Sequence, residues 1–306
     1  MASTENHPRR GLRKLGLGTA QFGMAYGRFN RDGRPSLDAV ADILRAAAAH
    51  GFGTIDTAAL YGESEAVLGQ ALRPDHNFRI VTKTPRFGTA RIGIEQAAAL
   101  RTAFQASRTR LRQDKLYGLL AHDSDDLLAE GGKHIFDAMQ DLKRQGEVEK
   151  IGASVYTVRQ IEGLLGRGSL DLIQAPMNVL DQRLIDSGTL REIASRGIEL
   201  HIRSAFLQGL LLADLAALPP HFAAARPALE AFQRAARAAG RSPAQAALAF
   251  LLGRPEIDTV LVGVDSLAQI EEIACGPLDP LDLDYHAFRV TDEGILNPSA
   301  WPGAVS

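Results

Sequence analysis

The chain has 306 residues, 45% of them apolar, and its 34 Lys and Arg nearly balance 36 Asp and Glu for a net charge of −2. That balance argues against nucleic acid or a charged membrane surface as partner, and no window approaches the roughly 20 uncharged apolar residues of a membrane span. The single cysteine, Cys275, excludes an intrachain disulfide and suits a reducing compartment.

Residues 1–15 carry charge but no apolar stretch, so no secretory leader is expected, and a soluble cytoplasmic protein is the default. Cys275 is read as a small apolar filler near a helix end. No feature specifies an oligomeric state.

In chain order, a strand is predicted over 15–19. A helix follows over 36–50, opened by Ser36 after Pro35 and closed by Gly51. A strand over 53–56 leads to a helix over 64–72 that stops at Arg73-Pro74. Next come a strand over 78–83, a helix over 94–113, a strand over 116–121 and a helix over 132–145. A strand over 148–154, a helix over 157–166, a strand over 171–175 and a helix over 187–196 follow. These last three helices each end near a glycine. The strand over 198–203 precedes helices over 222–239 and 242–252, the second begun by Ser242-Pro243. A strand over 259–262 and a helix over 266–275 complete the pattern.

Eight strands alternating with helices, each strand a nearly continuous apolar run such as IELHI or TVLVG, predict an α/β fold with a parallel sheet covered on both faces. About 250 residues make one (β/α)₈ TIM barrel, so the chain is read as a single domain with a core over about 10–276. Residues 277–306 carry four prolines and no periodicity, and are expected to form a C-terminal tail near the barrel mouth. A doubly wound dinucleotide fold competes. Gly16 and Gly18 begin its G-x-G-x-x-G signature, but Gln21 breaks the pattern and no helix is expected before Pro35.

Four polar residues stand at or just past successive strand ends: Asp56 after GTI, Tyr61 in the following turn, Lys83 after FRIVT and His122 after LYGLLA. Catalytic groups of a parallel barrel sit at that end. The chain has six lysines, and Lys83 alone follows a strand; the others read as solvated or turn residues. A tyrosine beside a Lys ammonium becomes a stronger acid and can give a proton to a carbonyl oxygen near neutral pH. Taken singly, Asp56 is a turn cap, Tyr61 a packed aromatic and His122 a turn histidine; the joint pattern is what points to chemistry. The HDSDD segment at 122–126 lacks a second histidine nearby, so no metal site is expected.

These residues, with LGLGTAQFG (15–23), GFGTIDTAALYGESEAVLGQAL (51–72), VTKTP (81–85), LLAHD (119–123), IGASVY (151–156), IQAPMN (173–178), SAFLQGLLL (204–212) and LVGVDSLAQIEEI (261–273), resemble the aldo-keto reductase superfamily. The resemblance implies that Tyr61 is the general acid, Lys83 the tuner of its acidity, Asp56 the partner of Lys83, and His122 the group that orients the carbonyl. It implies a nicotinamide cofactor whose carboxamide is held by Ser154 and Gln174. Val155 stands where the family often has Asn after that Ser, and Asn178 is a candidate substitute. Arg203 replaces the aromatic that stacks on the nicotinamide, with Ser204 beside it; a planar guanidinium can also stack. Phe206, Gln208 and Gly209 fall in the loop expected over the pyrophosphate.

After the eighth strand, Gly263, Gln269 and Glu272 match the family's adenosine side, while Ile273 replaces an Asn. Asp265 stands where a small or basic residue meets the 2′-phosphate of NADP(H). A carboxylate there accepts a bond from a 2′-hydroxyl and slightly favours NAD(H); alternatively, Asp265 caps the helix that begins near 266. Phe22, Met24, Tyr26, Arg86 and Trp301 are expected to line the substrate pocket, Trp301 as part of a lid. The expected function is a NAD(H)- or NADP(H)-dependent oxidoreductase that takes a small-molecule aldehyde, ketone or sugar. A cofactor-sensing barrel with little turnover is the rival; an isomerase or hydrolase lacks the paired carboxylates or metal ligands it needs.

Overall fold

The computed structural model of the chain describes residues 12–28 and 33–302. The stretch 1–11, on which most of the leader expectation rests, lies outside the described residues.

Eight parallel strands form the centre: β1 (Leu15–Gly18), β2 (Thr54–Asp56), β3 (Arg79–Lys83), β4 (Leu116–Ala121), β5 (Val148–Ser154), β6 (Leu172–Pro176), β7 (Glu199–Arg203) and β8 (Thr259–Gly263). They pair in sequence order and close into a barrel, with Leu15 of β1 opposite Val260 of β8. The fold is therefore the expected (β/α)₈ barrel. Outside it lie α1 (Leu37–His50), α2 (Ser64–Ala71), α3 (Ile94–Leu111), α4 (Lys133–Arg144), α5 (Val158–Leu165), α6 (Thr189–Ser195), α7 (Arg226–Ala238), α8 (Pro243–Leu252) and α9 (Leu267–Cys275).

Local chemistry explains the helix limits. Ser36, Thr157, Ser242 and Ser266 each accept a bond from the backbone N–H three residues on, at the starts of α1, α5, α8 and α9. Gly51 ends α1 at φ 87°, a left-handed conformation that glycine adopts without a Cβ clash. Two details depart from the sequence reading. A single helical turn, Ala20–Gly23, follows β1 directly. Cys275 is exposed, with its thiol directed at Glu271 4 residues earlier on α9, so it is no core filler.

The N-terminal end of the barrel is filled by polar groups. Glu199 of β7 receives the Tyr117 hydroxyl at 2.6 Å, the His201 ring at 2.8 Å and the Lys150 ammonium. Lys150, read from sequence as a solvated residue, thus serves inside the barrel floor. Several cations and donors on one carboxylate hold Glu199 in its charged form although burial opposes it. The opposite end of the barrel is left for chemistry.

The described part of the tail, 277–302, is packed against the barrel. Val290 donates its N–H to Leu180 O at 2.9 Å, and Phe288 meets Phe232 of α7 with ring centroids 5.7 Å apart. Trp301 is 4% exposed. Its ring stands edge-on to Phe222 at 4.7 Å and its Nε1 donates to Ile295 O at 3.0 Å. Trp301, expected as part of a lid over the pocket, is instead the anchor that seats the tail, which brings Pro298 and Ser299 to the barrel mouth.

Candidate active site

The ends of β2 and β3 are adjacent, and this adjacency sets the central pair. Lys83 Nζ donates to Asp56 Oδ1 at 2.8 Å, to Asp56 Oδ2 at 2.7 Å and to Thr57 O at 2.9 Å. Both side chains are nearly inaccessible, 1% exposed for Lys83 and 6% for Asp56. Burial opposes the ammonium, but Asp56 and Tyr61 more than offset it, so Lys83 stays protonated above the ordinary lysine range. Gln174 of β6 donates Nε2 to Asp56 Oδ1 at 2.6 Å from across the barrel.

Tyr61 lies over this pair, its ring centroid 4.9 Å from Lys83 Nζ. A web of small polar groups fixes its loop. Ser64 Oγ donates to Thr19 O at 2.8 Å and contacts Thr57 Oγ1 at 3.1 Å, while Thr19 Oγ1 donates to Asp56 O at 2.9 Å. Gly23 touches the same loop so closely that a Cβ on it would lie 1.8 Å from Tyr61 O. His122 follows β4 and meets Tyr61 edge-on with ring centroids 5.8 Å apart. Burial, then the charges of Lys83, Arg86 and Arg203, push the His122 pKa down to about 2, so its imidazole is neutral.

These groups open into a cavity of about 670 Å³, within the range of roughly 300–1,000 Å³ typical of small-molecule sites. Its wall carries Asp56, Tyr61, His122 and Ser154 at one end and Gly263, Asp265, Gln269 and Glu272 at the other. Between them lie Arg203, Ser204, Phe206, Gln208 and Gly209, and Met24, Tyr26 and Arg86 border the same space. The loop after β7 is unusual: Ser204, Leu207, Gln208 and Gly209 all have positive φ, of 60°, 48°, 51° and 90°. Its tight turns are closed from within: the Leu207, Gly209 and Leu210 N–H groups donate to Ser204 O, Phe206 O and Leu207 O at 2.9, 3.0 and 3.0 Å.

At the far end, Ser266 is the N-cap of α9 and the Gln269 side chain accepts from the Asp265 N–H at 2.7 Å. The cap belongs to Ser266, and the half-buried Asp265 borders the cavity. Gly263 has no room for a side chain, since a Cβ would lie 2.2 Å from Gln21 Nε2.

Four expected residues lie off the wall. Lys83 is beneath it, behind Asp56. Gln174 is fully buried on Asp56 rather than open to the cavity. Phe22 is likewise fully buried in the apolar core beneath β1, and Trp301 packs into the tail, so neither is a pocket residue. Asn178 does not substitute for the missing Asn: it donates to Ser204 O at 3.2 Å and accepts from the Leu180 and Asp181 N–H groups.

Sequence reasoning missed Gln21, Leu60, Tyr156, Asp214 and Ser299, all on the wall. Tyr156 ends the IGASVY string, so its position was available; Ser299 reaches the mouth only through tail packing, which leaves no local signal. Asp126 was also missed: its carboxylate accepts the Phe87 and Gly88 N–H groups, each at 3.0 Å, and so shapes the loop that carries Arg86. Among the described residues, the one grouping with metal-ligand spacing is His50, Glu271 and Cys275, on α1 and α9 and off the cavity wall.

A parallel barrel with this strand-end constellation defines a class of enzyme-like barrels, and the comparisons narrow it. The aldo/keto reductase family profile matches residues 14–276. The chain belongs to that family, oxidoreductases that act on carbonyls and alcohols. It is 29% identical to L-galactose dehydrogenase of Arabidopsis thaliana over 95% of this chain and 93% of that protein. It is 28% identical to the NADH-specific methylglyoxal reductase of Escherichia coli (strain K12) over 65% of each chain. The fold matches the aldo-keto reductase AKR11C1 from Bacillus halodurans in its holo form, with a TM-score of 0.71, 20% identity and coverage of 95% of this chain and 94% of that one. The glycerol dehydrogenase AKR11B4 from Gluconobacter oxydans superposes with a TM-score of 0.68 at 22% identity, over 90% of this chain and 88% of that one. Among the described residues, no helix is long and apolar enough to cross a membrane.

Proposed function

We propose that the chain interconverts an aldehyde, ketone or sugar carbonyl with the corresponding alcohol, with Tyr61 as the general acid and base. The observation that carries this reading is the buried Asp56–Lys83 ion pair beneath Tyr61, with His122 facing the same cavity.

Each residue then has a physical task. Tyr61 gives its proton to the carbonyl oxygen in reduction and takes one from the alcohol in oxidation. The Lys83 ammonium stabilises the phenolate left behind, at a distance where Coulomb attraction is strong in a buried site. Asp56 and Gln174 keep that ammonium under the ring. A neutral His122 can donate one N–H to the carbonyl oxygen; its Nδ1 is buried without a partner among the described residues, so the proton is best placed on Nε2. An unpaired acceptor costs less than an unpaired donor, because it strands no N–H away from water.

The cavity fits a nicotinamide dinucleotide, which supplies or accepts the hydride when bound. Ser154 would hold its carboxamide end, Ser204, Gln208 and Gly209 of the loop after β7 its phosphates, and Gln269 and Glu272 its adenosine end. Gly263, where the packed Gln21 leaves no room for a side chain, keeps that wall low. Asp265 supplies a negative charge at the adenosine end and favours NAD(H) over NADP(H) slightly. The names of the relatives, a sugar dehydrogenase and an NADH-specific reductase of a small aldehyde, support the same chemistry.

The test is absorbance of the reduced nicotinamide with NADH and NADPH against a panel of aldehydes, ketones and aldoses, run in both directions. Turnover that disappears in Tyr61→Phe is the expected result. Cofactor binding without turnover on any of them would instead favour a sensing role.

A further inference from the structure

We propose that Arg86 and Arg203 form an anion subsite at the barrel mouth, so that the preferred substrate carries a carboxylate or phosphate near its carbonyl group. The proposal rests on the carbonyl–alcohol reading above and names its substrate class.

The two arginines come from opposite sides of the ring. Arg86 follows β3 and Arg203 ends β7, yet both converge on Tyr156, just past β5. The Arg203 guanidinium carbon lies 4.2 Å from the Tyr156 ring centroid, and Arg203 donates to Val155 O at 2.9 Å and to Ser204 Oγ at 3.4 Å. Arg86 and the tail residue Ser299 stand on the hydroxyl side of Tyr156, near enough to lower the pKa of its phenol. All four residues border the cavity that contains Tyr61 and His122.

The charges of the two guanidiniums are not matched. Among the described residues, no carboxylate lies in ion-pair range of Arg86 or Arg203, and the partners of Arg203 are two neutral oxygens and the face of the Tyr156 ring. The wall carboxylates are elsewhere. Asp56 is held by Lys83, Asp214 stands in the loop after β7, and Asp265 and Glu272 stand beside and on α9. Arg203 is half-buried, where a cation without a counter-charge is costly, and a guanidinium has five donors, of which few are used here. Its planar fork matches a carboxylate or phosphate in two-point contact.

The surroundings register this field. Arg86 and Arg203 both push the His122 imidazole toward its neutral form. They also draw the Tyr156 phenol below its ordinary range, Arg203 foremost, against burial. An anionic group bound there would neutralise two like charges, and the mouth would attract such substrates from solution.

The experiment compares kcat/KM for matched pairs with saturating cofactor: succinic semialdehyde against butanal, and glyceraldehyde 3-phosphate against glyceraldehyde. The expected result is a preference for the charged member of at least about tenfold in one pair, which also tells carboxylate from phosphate. Arg86→Gln, at an exposed position, should reduce that preference about tenfold or more, mainly through KM, and raised salt should weaken it. Equal use of both members, or a parallel loss for both in Arg86→Gln, overturns the subsite.

A binding arm separates this proposal from the activity it rests on. Succinate and inorganic phosphate are titrated calorimetrically into the cofactor-loaded protein. Binding that weakens in both Arg86→Gln and Arg203→Gln supports the subsite even where no substrate turns over. The absence of binding by either anion, together with no charged-substrate preference, overturns it. Cofactor affinity of Arg203→Gln, read by nicotinamide fluorescence, is the last control: a large loss there with anion binding intact assigns Arg203 to the cofactor and overturns its place in the subsite.

Discussion

Lys83 and Asp56 meet head-on inside the barrel, the ammonium within 2.8 Å of both carboxylate oxygens, directly beneath the ring of Tyr61. The strands that carry them are neighbours in parallel register, so the pair is a consequence of topology. A charge pair this deep is poor evidence for stability, because desolvation offsets much of the attraction. Its place under a cavity-facing tyrosine is what gives it meaning.

Tyr61→Phe keeps the ring and removes the proton. Loss of a positioned general acid should lower kcat on the order of 10²–10⁴-fold. Cofactor affinity should hardly change. Turnover close to that of the unaltered protein would remove Tyr61 from the mechanism.

Lys83→Met strands the Asp56 carboxylate and should destabilise the fold by about 3–5 kcal/mol, the usual cost of breaking a buried pair from one side. Combining it with Asp56→Asn should restore much of that stability but little of the rate. Denaturant midpoints and kcat, measured over the full cycle, separate the two roles. A double variant that recovers both would leave the pair a structural feature only.

The fold and the central site were legible because they rest on local patterns. Apolar runs that end in Asp56, Lys83 and His122 write both the strands and the polar groups at their ends into the same few residues. Serine and threonine caps followed by glycine stops did the same for the helices. What was not legible depends on contacts distant in sequence. Phe22 looks like a pocket residue in QFGMAYG, but the single turn after β1 rotates it into the core. Trp301 has no local periodicity to show that Phe222, 79 positions earlier, completes its packing (301 minus 222). Gln174 carries no sign that its amide is spent on Asp56.

His122 gives a pH prediction with a definite sign. Its folded-state pKa, pushed down to about 2 by burial and then by neighbouring cations, is below the ordinary value of 6.5. The unfolded chain therefore takes up the proton first as pH falls. The contribution of this group is full above pH 6.5 and is lost below it, by about 2 kcal/mol at pH 5. His122→Asn should show that much less loss of stability between pH 7 and pH 5 in denaturant titrations. An equal loss in both proteins would mean that His122 is protonated in the folded state.

Gly23→Ala tests how tightly the Tyr61 loop is held. The added Cβ would stand 1.8 Å from Tyr61 O and 2.3 Å from Ser64 N, both backbone atoms. Relief requires the loop to move, at a cost of about 1–3 kcal/mol for overpacking. Because the moved segment carries Tyr61, kcat should fall as well, at temperatures where the variant is fully folded. Thermal midpoint and kcat both unchanged would show that the turn after β1 has slack.

The proposed preference for NAD(H) is tested at Asp265. The α9 cap is made by Ser266, and Asp265 keeps its backbone tied to Gln269 while the residue borders the cavity at the end proposed for adenosine. A 2′-phosphate there would meet a carboxylate, whereas a 2′-hydroxyl can donate to it. NADH should therefore bind at least as well as NADPH. Asp265→Ser should remove the repulsion and improve NADPH relative to NADH by about 1 kcal/mol, the Coulomb scale for two charges a few ångströms apart in a wet site. Fluorescence titration of both cofactors into both proteins reads this directly, and raised salt should shrink the difference. If the unaltered protein binds NADPH far more tightly than NADH, the Asp265 carboxylate faces away from the phosphate and another cation holds it.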